Sequence, residues 1–526
     1  MKLLLTSVFK PFGINDDLNS SENPMEQLHS SSTRMQGVFS VHAHNRSFGL
    51  TLMAENLKTP TTVLDFPTLE EFKAEIAKGY THVGISFIVP NVEKAEIMAK
   101  YVRRTHPEIK IFIGGHGAQI PGIEKIVPCD DACRMEGISW IRTKMGEDPD
   151  APFNHPIFQM EVWRKVMGIP VPPKKAVIVP GVGCSNGCNF CSTSHYFQGY
   201  KPYFKSTKEL FDSMVKISDS LRTNDFQVFD ENFLEDENRI YELIELMEKN
   251  NRPFTFDIFS SLRSISKFSP RDIARLGIQF LWIGIETKRP LYKKTEGLNA
   301  KEIFAKFRKY GVSFLASSIF FFDHHDRQTL WEDVDYTLSL DPDFVFLTTL
   351  SPCPGTPLWD QYSRQDRILP DVPLRERTGQ GMIWFKHPVF SPNETRKILN
   401  EAYLREYQTL GPCLMRYART KLEGYKTLRA LNDPVFENRV EQMRVMAKEM
   451  IPLLYSFERF APNSLIADKA KSLREDFKRE FGPMSLADGL GTLIVHGCAH
   501  IENGRIKRGL KLQQPKTFID RYRQSN

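Results

Sequence analysis

The strongest constraint on this 526-residue chain is that apolar runs of strand length alternate with helical patterns, and do so twice. In the first 140 residues the runs fall at 3–9, 62–65, 82–89, 110–113 and 132–138. Helical patterns cover 47–57, 69–78 and 92–104. Strands spaced by helices build a parallel sheet with helices on both faces. Ligands of such sheets sit beyond the carboxyl ends of the strands. That edge would carry Ser86, the Gly114-Gly115-His116-Gly117 turn and Glu136-Gly137.

A Ser/Asn-rich stretch fills 15–34, and residues 141–174, with Pro170, Pro172 and Pro173, have linker composition. From 175 the alternation restarts, with apolar runs at 176–181, 226–229, 255–260, 280–285, 313–322 and 344–350 and helical patterns between them. Six consecutive strand–helix units predict a partial barrel of parallel strands, with its active site at their C-terminal ends. Beyond about 385 the strand signal fades. Helices are expected over 394–410, 415–420, 438–450 and 465–481, and the basic tail 504–526 is expected to be partly loose. The predicted fold is α/β: a doubly wound domain (1–140), a linker (141–174), a partial six-unit barrel (175–385) and a helical C-terminal domain (386–526).

Composition narrows the function. Lys and Arg number 70 against 64 Asp and Glu, for a net charge of +6 without a long basic run. A nucleic-acid track is therefore not expected. No run of about 18 apolar residues suggests a membrane span. The opening Leu3-Leu4-Leu5 run stops at Thr6-Ser7, too soon for a signal peptide, so a cytoplasmic location is expected. Eight cysteines are too sparse for a disulfide scaffold in a chain this long.

Three of them are clustered. Gly183-Cys184-Ser185-Asn186-Gly187-Cys188-Asn189-Phe190-Cys191 follows the first barrel strand and sets thiols at Cys-x3-Cys-x2-Cys spacing. Three thiolates within eight residues can wrap one soft metal centre. Tetrahedral zinc normally wants a fourth ligand from a second Cys or His pair, and none with that spacing stands nearby. A [4Fe-4S] cube on three cysteines keeps one iron open for a substrate or cofactor. Zinc, and simple burial of three small thiols, are the alternatives.

This stretch resembles the radical S-adenosylmethionine (SAM) superfamily in the Cys184/Cys188/Cys191 spacing, in Phe190 before the last cysteine, and in the six strand–helix units. The resemblance covers about 175–385. It implies a TIM-like radical SAM barrel, with a [4Fe-4S] cluster on the three cysteines, SAM on the open iron and Phe190 beside it. It also implies Glu231 against the methionine ammonium, Arg263 against the methionine carboxylate and Glu286 at the ribose hydroxyls. Ordinary surface ion pairs, or for Glu231 a helix-start carboxylate, are the other uses of these residues. An external one-electron reductant such as flavodoxin or ferredoxin is implied as well.

A Rossmann-like doubly wound domain ahead of such a barrel resembles the cobalamin (B12)-binding subgroup. The matching residues are Val83-Gly84-Ile85-Ser86, Gly114-Gly115-His116-Gly117 and Arg134-Met135-Glu136-Gly137. The Asp-x-His-x-x-Gly motif of other cobalamin proteins is missing, since Asp65 is followed by Phe66-Pro67, so His116 is only a weak axial-ligand candidate. The resemblance implies methylation of an unactivated carbon, in which one SAM methylates cobalamin and a second yields a 5′-deoxyadenosyl radical. Radical oxidation, cyclisation or rearrangement without methyl transfer is the alternative. An iron–sulfur electron carrier or regulatory protein is another, although it needs neither a six-unit barrel nor an open iron. Aromatic strand residues, among them Phe280, Trp282, Phe320 and Phe346, read either as core filling or as a dry pocket for a large apolar substrate, a small molecule such as a lipid or tetrapyrrole.

Other clusters carry less. Asp323-His324-His325-Asp326 sits where a general base would sit, and Cys353 where a thiol could relay a radical. Cys129 and Cys133 read as packing. His496-Gly497-Cys498-Ala499-His500 looks like a metal patch without a fourth ligand. No catalytic residue is assigned.

Overall fold

A computed structural model describes residues 1–13, 16–18, 31–159, 161–172, 175–509 and 513–523. Most of the Ser/Asn-rich stretch, Pro173 and parts of the basic tail lie outside the described residues.

The N-terminal strands Leu3–Ser7, Thr61–Asp65, His82–Ser86, Lys110–Gly114 and Asp131–Ala132 form a parallel sheet. Their spatial order by rank is 2-1-3-4-5, a doubly wound order with its switch point between the first and third strands. Helices cover both faces, which is why Leu3, Leu4 and Leu5 are all buried. The helix Val92–Thr105 buries Val92, Ala95, Met98, Ala99 and Val102, one apolar stripe at helical spacing.

Three expectations are corrected here. The run at 132–138 is not a strand beyond Ala132. The chain turns at Glu136, whose carboxylate accepts the Ile138 and Ser139 amides, both at 2.8 Å, and caps the helix Gly137–Lys144. The 141–174 segment is not merely a linker. Its strands Glu161–Val166 and Ile169–Val171 form a hairpin that pairs antiparallel with Val41–Asn45. Pro170 is tolerated because its strand is an edge strand. The tail is not all loose: Phe518–Tyr522 adds antiparallel to Thr61–Asp65 and closes the edge of the first sheet. Arg521 there binds Glu75 at 3.0 Å. Burial raises the Glu75 pKa, but Arg521, Lys78 and Tyr80 outweigh it and hold it at about 2.

The second region is a six-stranded parallel sheet in sequential order: Ala176–Ile178, Asp225–Val228, Thr255–Ser260, Ile278–Glu286, Ser313–Phe320 and Phe344–Thr349. The six strands are those expected, and the first and last do not pair, so the barrel is partial. Helices Thr207–Leu221, Glu237–Lys249, Pro270–Leu276, Ala300–Arg308 and Thr329–Ser339 bury its outside. The C-terminal region is helical, from Pro392–Leu410 to Leu486–Lys507. Its helix Cys413–Leu431 seals the N-terminal end of the barrel. Buried Lys421 donates to the Gln279 and Gly311 carbonyls at 2.6 and 2.8 Å, where strands four and five begin. The C-terminal mouth stays open and faces the first sheet. The fold is thus α/β, a doubly wound sheet and partial barrel with a helical C-terminal region.

Candidate active site

The three cysteines lie on the loop between the first barrel strand and the helix Ser192–Tyr196. The loop shape depends on Gly183. Its φ is 85°, and a Cβ there would sit 1.9 Å from the Gly199 carbonyl oxygen, so only glycine fits. The Cys191 amide donates to the Cys188 carbonyl at 3.0 Å. Asn189 anchors the loop from two sides: Tyr292 Oη donates to its Oδ1 at 3.2 Å, and the Leu358 amide to its carbonyl at 3.0 Å. All three thiols are partly buried. Burial raises the Cys184 and Cys188 pKa values, and Lys294 opposes that rise.

Among the described residues, the one set of three metal-ligand types with all ligand atoms within 4.8 Å is His324, His325 and Asp333. The His324–His325–Asp333 set has another use. His325 Nδ1 accepts the Phe322 amide at 3.0 Å, so Nε2 carries the proton and donates to Asp333 at 3.0 Å. Both ring nitrogens are spent on holding the loop. Asp323 pairs with Arg367, and Asp326 accepts the Gln328 and Thr329 amides. His325 and the two aspartates thus hold a structural turn, while His324 Nε2 lies 3.4 Å from Thr287 Oγ1.

Below the cysteine loop a cavity of about 470 Å³ opens inside the barrel mouth. Phe259, Trp282 and Phe346 form a row across its floor, with centroids 5.3 and 5.1 Å apart. Phe320 and Phe321 are instead buried in one core cluster with Leu330, Val334 and Phe390; Phe320 ends strand five, and the chain turns at Phe321, with φ 68°. Thr349 lines the cavity, and its buried Oγ1 has no hydrogen-bond partner. Such an orphan marks a place for a ligand group.

The expected SAM contacts divide. Phe190 lines the cavity, edge-on to Tyr292 at 5.2 Å. Glu286 lines it too, but is ion-paired with Lys294. Glu286 sits at φ 64° after a register shift in strand four, a strained backbone that aims its carboxylate at Lys294. Burial works against the Lys294 charge, but Glu286 and Cys188 outweigh it and raise its pKa. Arg263 is exposed on the helix Leu262–Ser266 and lines neither cavity. Its expected role fails because Leu262, not Arg263, falls on the buried face of that short helix. The cation at the cysteine loop is Lys294.

A second cavity, about 330 Å³, lies between the first sheet and the barrel. Ser86, Gly114, Gly115 and His116 line it from the strand ends, and Gly137 from the helix start. At Gly115, with φ 79°, a Cβ would lie 2.6 Å from the Phe87 carbonyl oxygen. His116 Nδ1 is buried with no hydrogen-bond partner, and burial lowers the pKa of its ring. Gly117 does not line this cavity; it packs under the Phe87 ring, which a Cβ would strike. Glu136 lines it with its carboxylate already committed to the helix cap and to Tyr203 Oη at 2.9 Å.

Two residues, Thr193 and Glu231, line both cavities. Glu231 projects into the open space where they meet, yet protein surrounds that space. Burial, then the neighbouring Asp230 charge, raise its pKa to about 7. Asp230 itself is tied to Arg239 at 3.1 Å.

The fold has a counterpart among solved structures. The radical SAM methyltransferase TsrM from Kitasatospora setae, with cobalamin and a [4Fe-4S] cluster bound, aligns with 90% of this chain and 100% of its own, at a TM-score of 0.51 and 14% identity. This chain has the TsrM fold. A second structure of that enzyme, with tryptophan and aza-SAM bound, aligns at a TM-score of 0.48 and 14% identity over 97% of this chain and 100% of its own. An uncharacterized methyltransferase of Pyrococcus horikoshii is 21% identical over 249 residues, 46% of this chain and 52% of that protein. The chain thus matches about half the length of that curated relative. No known protein-family profile matches the sequence.

Within the fold, sequence reasoning missed Lys294, Thr193 and Thr349. Lys294 lies in a polar loop beside Lys293, and nothing local distinguishes the two. Cys353 does line the barrel cavity, where burial, then Cys191, push its thiol up to about 12.

Proposed function

We propose that the protein is a radical SAM methyltransferase that uses cobalamin and methylates an unactivated carbon of a small apolar substrate. Cys184, Cys188 and Cys191 would hold the [4Fe-4S] cluster, and the barrel cavity would hold SAM. The interdomain cavity, with its glycine edge and orphaned His116 nitrogen, would hold cobalamin. When bound, these groups supply a methyl donor, one-electron bond cleavage fed by an external reductant, and a methyl carrier. The chain supplies the rest. Lys294 places a positive charge beside the thiolates, and the Phe259, Trp282 and Phe346 rings keep the barrel mouth dry and accept apolar surface. Glu231 offers an unpaired carboxylate to a cationic group such as the SAM ammonium.

The observation that carries this reading is the junction at Thr193 and Glu231. A substrate held there touches both cavities, as transfer from a carrier on one side to a carbon activated on the other requires. Among the described residues no helix is long and apolar enough to cross a membrane, which fits a chain acting on a diffusible substrate.

The test is anaerobic reconstitution, with iron and cobalamin counted per chain, followed by mass analysis of products formed with trideuteromethyl-SAM. The expected result is about four irons, bound cobalamin and a product carrying the intact CD3 group. Full iron loading with no cobalamin affinity would rule out methyl transfer and leave radical oxidation, cyclisation or rearrangement.

A further inference from the structure

The C-terminal helix Leu486–Lys507 carries a histidine pair set apart from both cavities. The helix is held in place: Thr492, Val495 and Ala499 are buried, and Lys165 binds Glu502 at 2.6 Å. His496 and His500 stand one turn apart on one face of it. Their Nε2 atoms face each other at 3.1 Å, with the ring planes at 88°.

Packing fixes both rings. Phe460 lies 5.6 Å from the His496 ring and 4.9 Å from the His500 ring, and Tyr455 lies 5.1 Å from His496. Ser456 Oγ stands 3.4 Å from His496 Nδ1. A proton on that Nδ1 points at the hydroxyl and leaves the His496 Nε2 lone pair aimed at His500. Two nitrogens so placed need positive charge between them, which a shared proton or a metal ion supplies. The distance suits a metal. Two imidazole nitrogens bonded to one ion at about 2.0–2.1 Å, with about 100° between the bonds, stand about 3.1 Å apart. Metal-ligating histidines also keep an oxygen partner on the other ring nitrogen, as Ser456 does here. His500 is exposed and His496 half-buried, so the remaining coordination positions open to water. Cys498 lies about 200° around the helix from each histidine, so its thiol is not a third ligand.

We propose that His496 and His500 bind one divalent transition-metal ion of the zinc, copper and nickel class, with water filling its other positions. Imidazole nitrogens select that class over magnesium and calcium, which take oxygen. The exposed Arg459 opposes positive charge at His496, an effect that water and salt screen. The bound ion bridges successive turns of the helix and stabilises the folded chain by linkage.

Anaerobic calorimetric titration of zinc chloride into the iron-loaded full chain tests this. The parent is expected to bind about one zinc more per chain than His500→Gln, and His496→Gln to behave as His500→Gln does. Each variant weakens that site at least about tenfold and keeps the circular dichroism of the parent. Comparison within this set cancels zinc held elsewhere, at the thiols included, so the outcome does not depend on the iron–sulfur assignment. The zinc-edge X-ray absorption difference between parent and His500→Gln should show nitrogen at about 2.0–2.1 Å and no sulfur at about 2.3 Å. Cys498→Ser should bind zinc as the parent does. Equal zinc binding by the parent and both glutamine variants overturns the proposal and leaves the two nitrogens sharing a proton. Loss of the site in Cys498→Ser, or sulfur in the difference spectrum, overturns it too.

Discussion

The two parallel sheets meet the same space with opposite equipment. The first presents backbone: Gly114, Gly115 and Gly137, with a buried unpartnered imidazole at His116 and a carboxylate at Glu136 already consumed by a helix cap. The barrel presents side chains: three thiols, the Glu286–Lys294 pair and the free carboxylate of Glu231. An edge of that first kind selects by shape and close approach. The second selects by donor atoms and charge. One fold can thus hold a bulky preformed group on one side and assemble a reactive centre on the other.

Substitutions that separate the two edges test this contrast. Cys188→Ala has the largest expected effect: iron per chain falls to near zero with the visible iron–sulfur absorbance, while cobalamin affinity is retained. Loss of both together would show that the edges are not independent. Lys294→Met leaves Glu286 buried without its partner and should lower stability by about 3–5 kcal/mol, read as a shift in the urea midpoint. Adding Glu286→Gln should recover most of that loss. Gly115→Ala forces a side chain into a glycine-only conformation against Phe87, at about 1–3 kcal/mol. It should reduce cobalamin binding and spare iron content, the mirror image of Cys188→Ala.

The smallest effect concerns Glu231 and pH. Its folded pKa of about 7 lies above the ordinary 4.5. Its favourable contribution is therefore present below about 4.5 and lost as pH rises through about 7. Because the side chain faces open cavity space, the effect is modest. Glu231→Gln should gain on the parent chain by about 1–2 °C in Tm between pH 5 and pH 8. A constant difference between the two proteins across that range would show that Glu231 titrates normally.

The parts legible in the sequence are those with short-range causes. Six barrel strands were readable because apolar runs and helical stripes each repeat within a few residues. The thiol cluster was readable because its three ligands share one loop, and Phe190 came with it. Arg263 was misplaced because one step along a helix turns a side chain by about 100°, enough to move it from the cavity to solvent. The tail strand Phe518–Tyr522 was missed because its alternating charged residues look like a solvated tail until the Thr61–Asp65 edge and Glu75 supply partners. Glu136 was expected at a ligand, and it lines that cavity, but helix start and Tyr203 take up its oxygens first.

Sequence alone determined the α/β class, the partial barrel and a three-thiol loop at the barrel mouth, since periodicity and ligand spacing are written locally. Tertiary structure decided which charge meets the thiols, which carboxylate stays unpaired and where the two cavities join. Those outcomes depend on residues far apart in the chain. Lys294 beside Cys188, and Glu231 between two sheets, are set by how the strands stack and where the loops land. No local pattern encodes such distances, because they are the sum of every packing choice between.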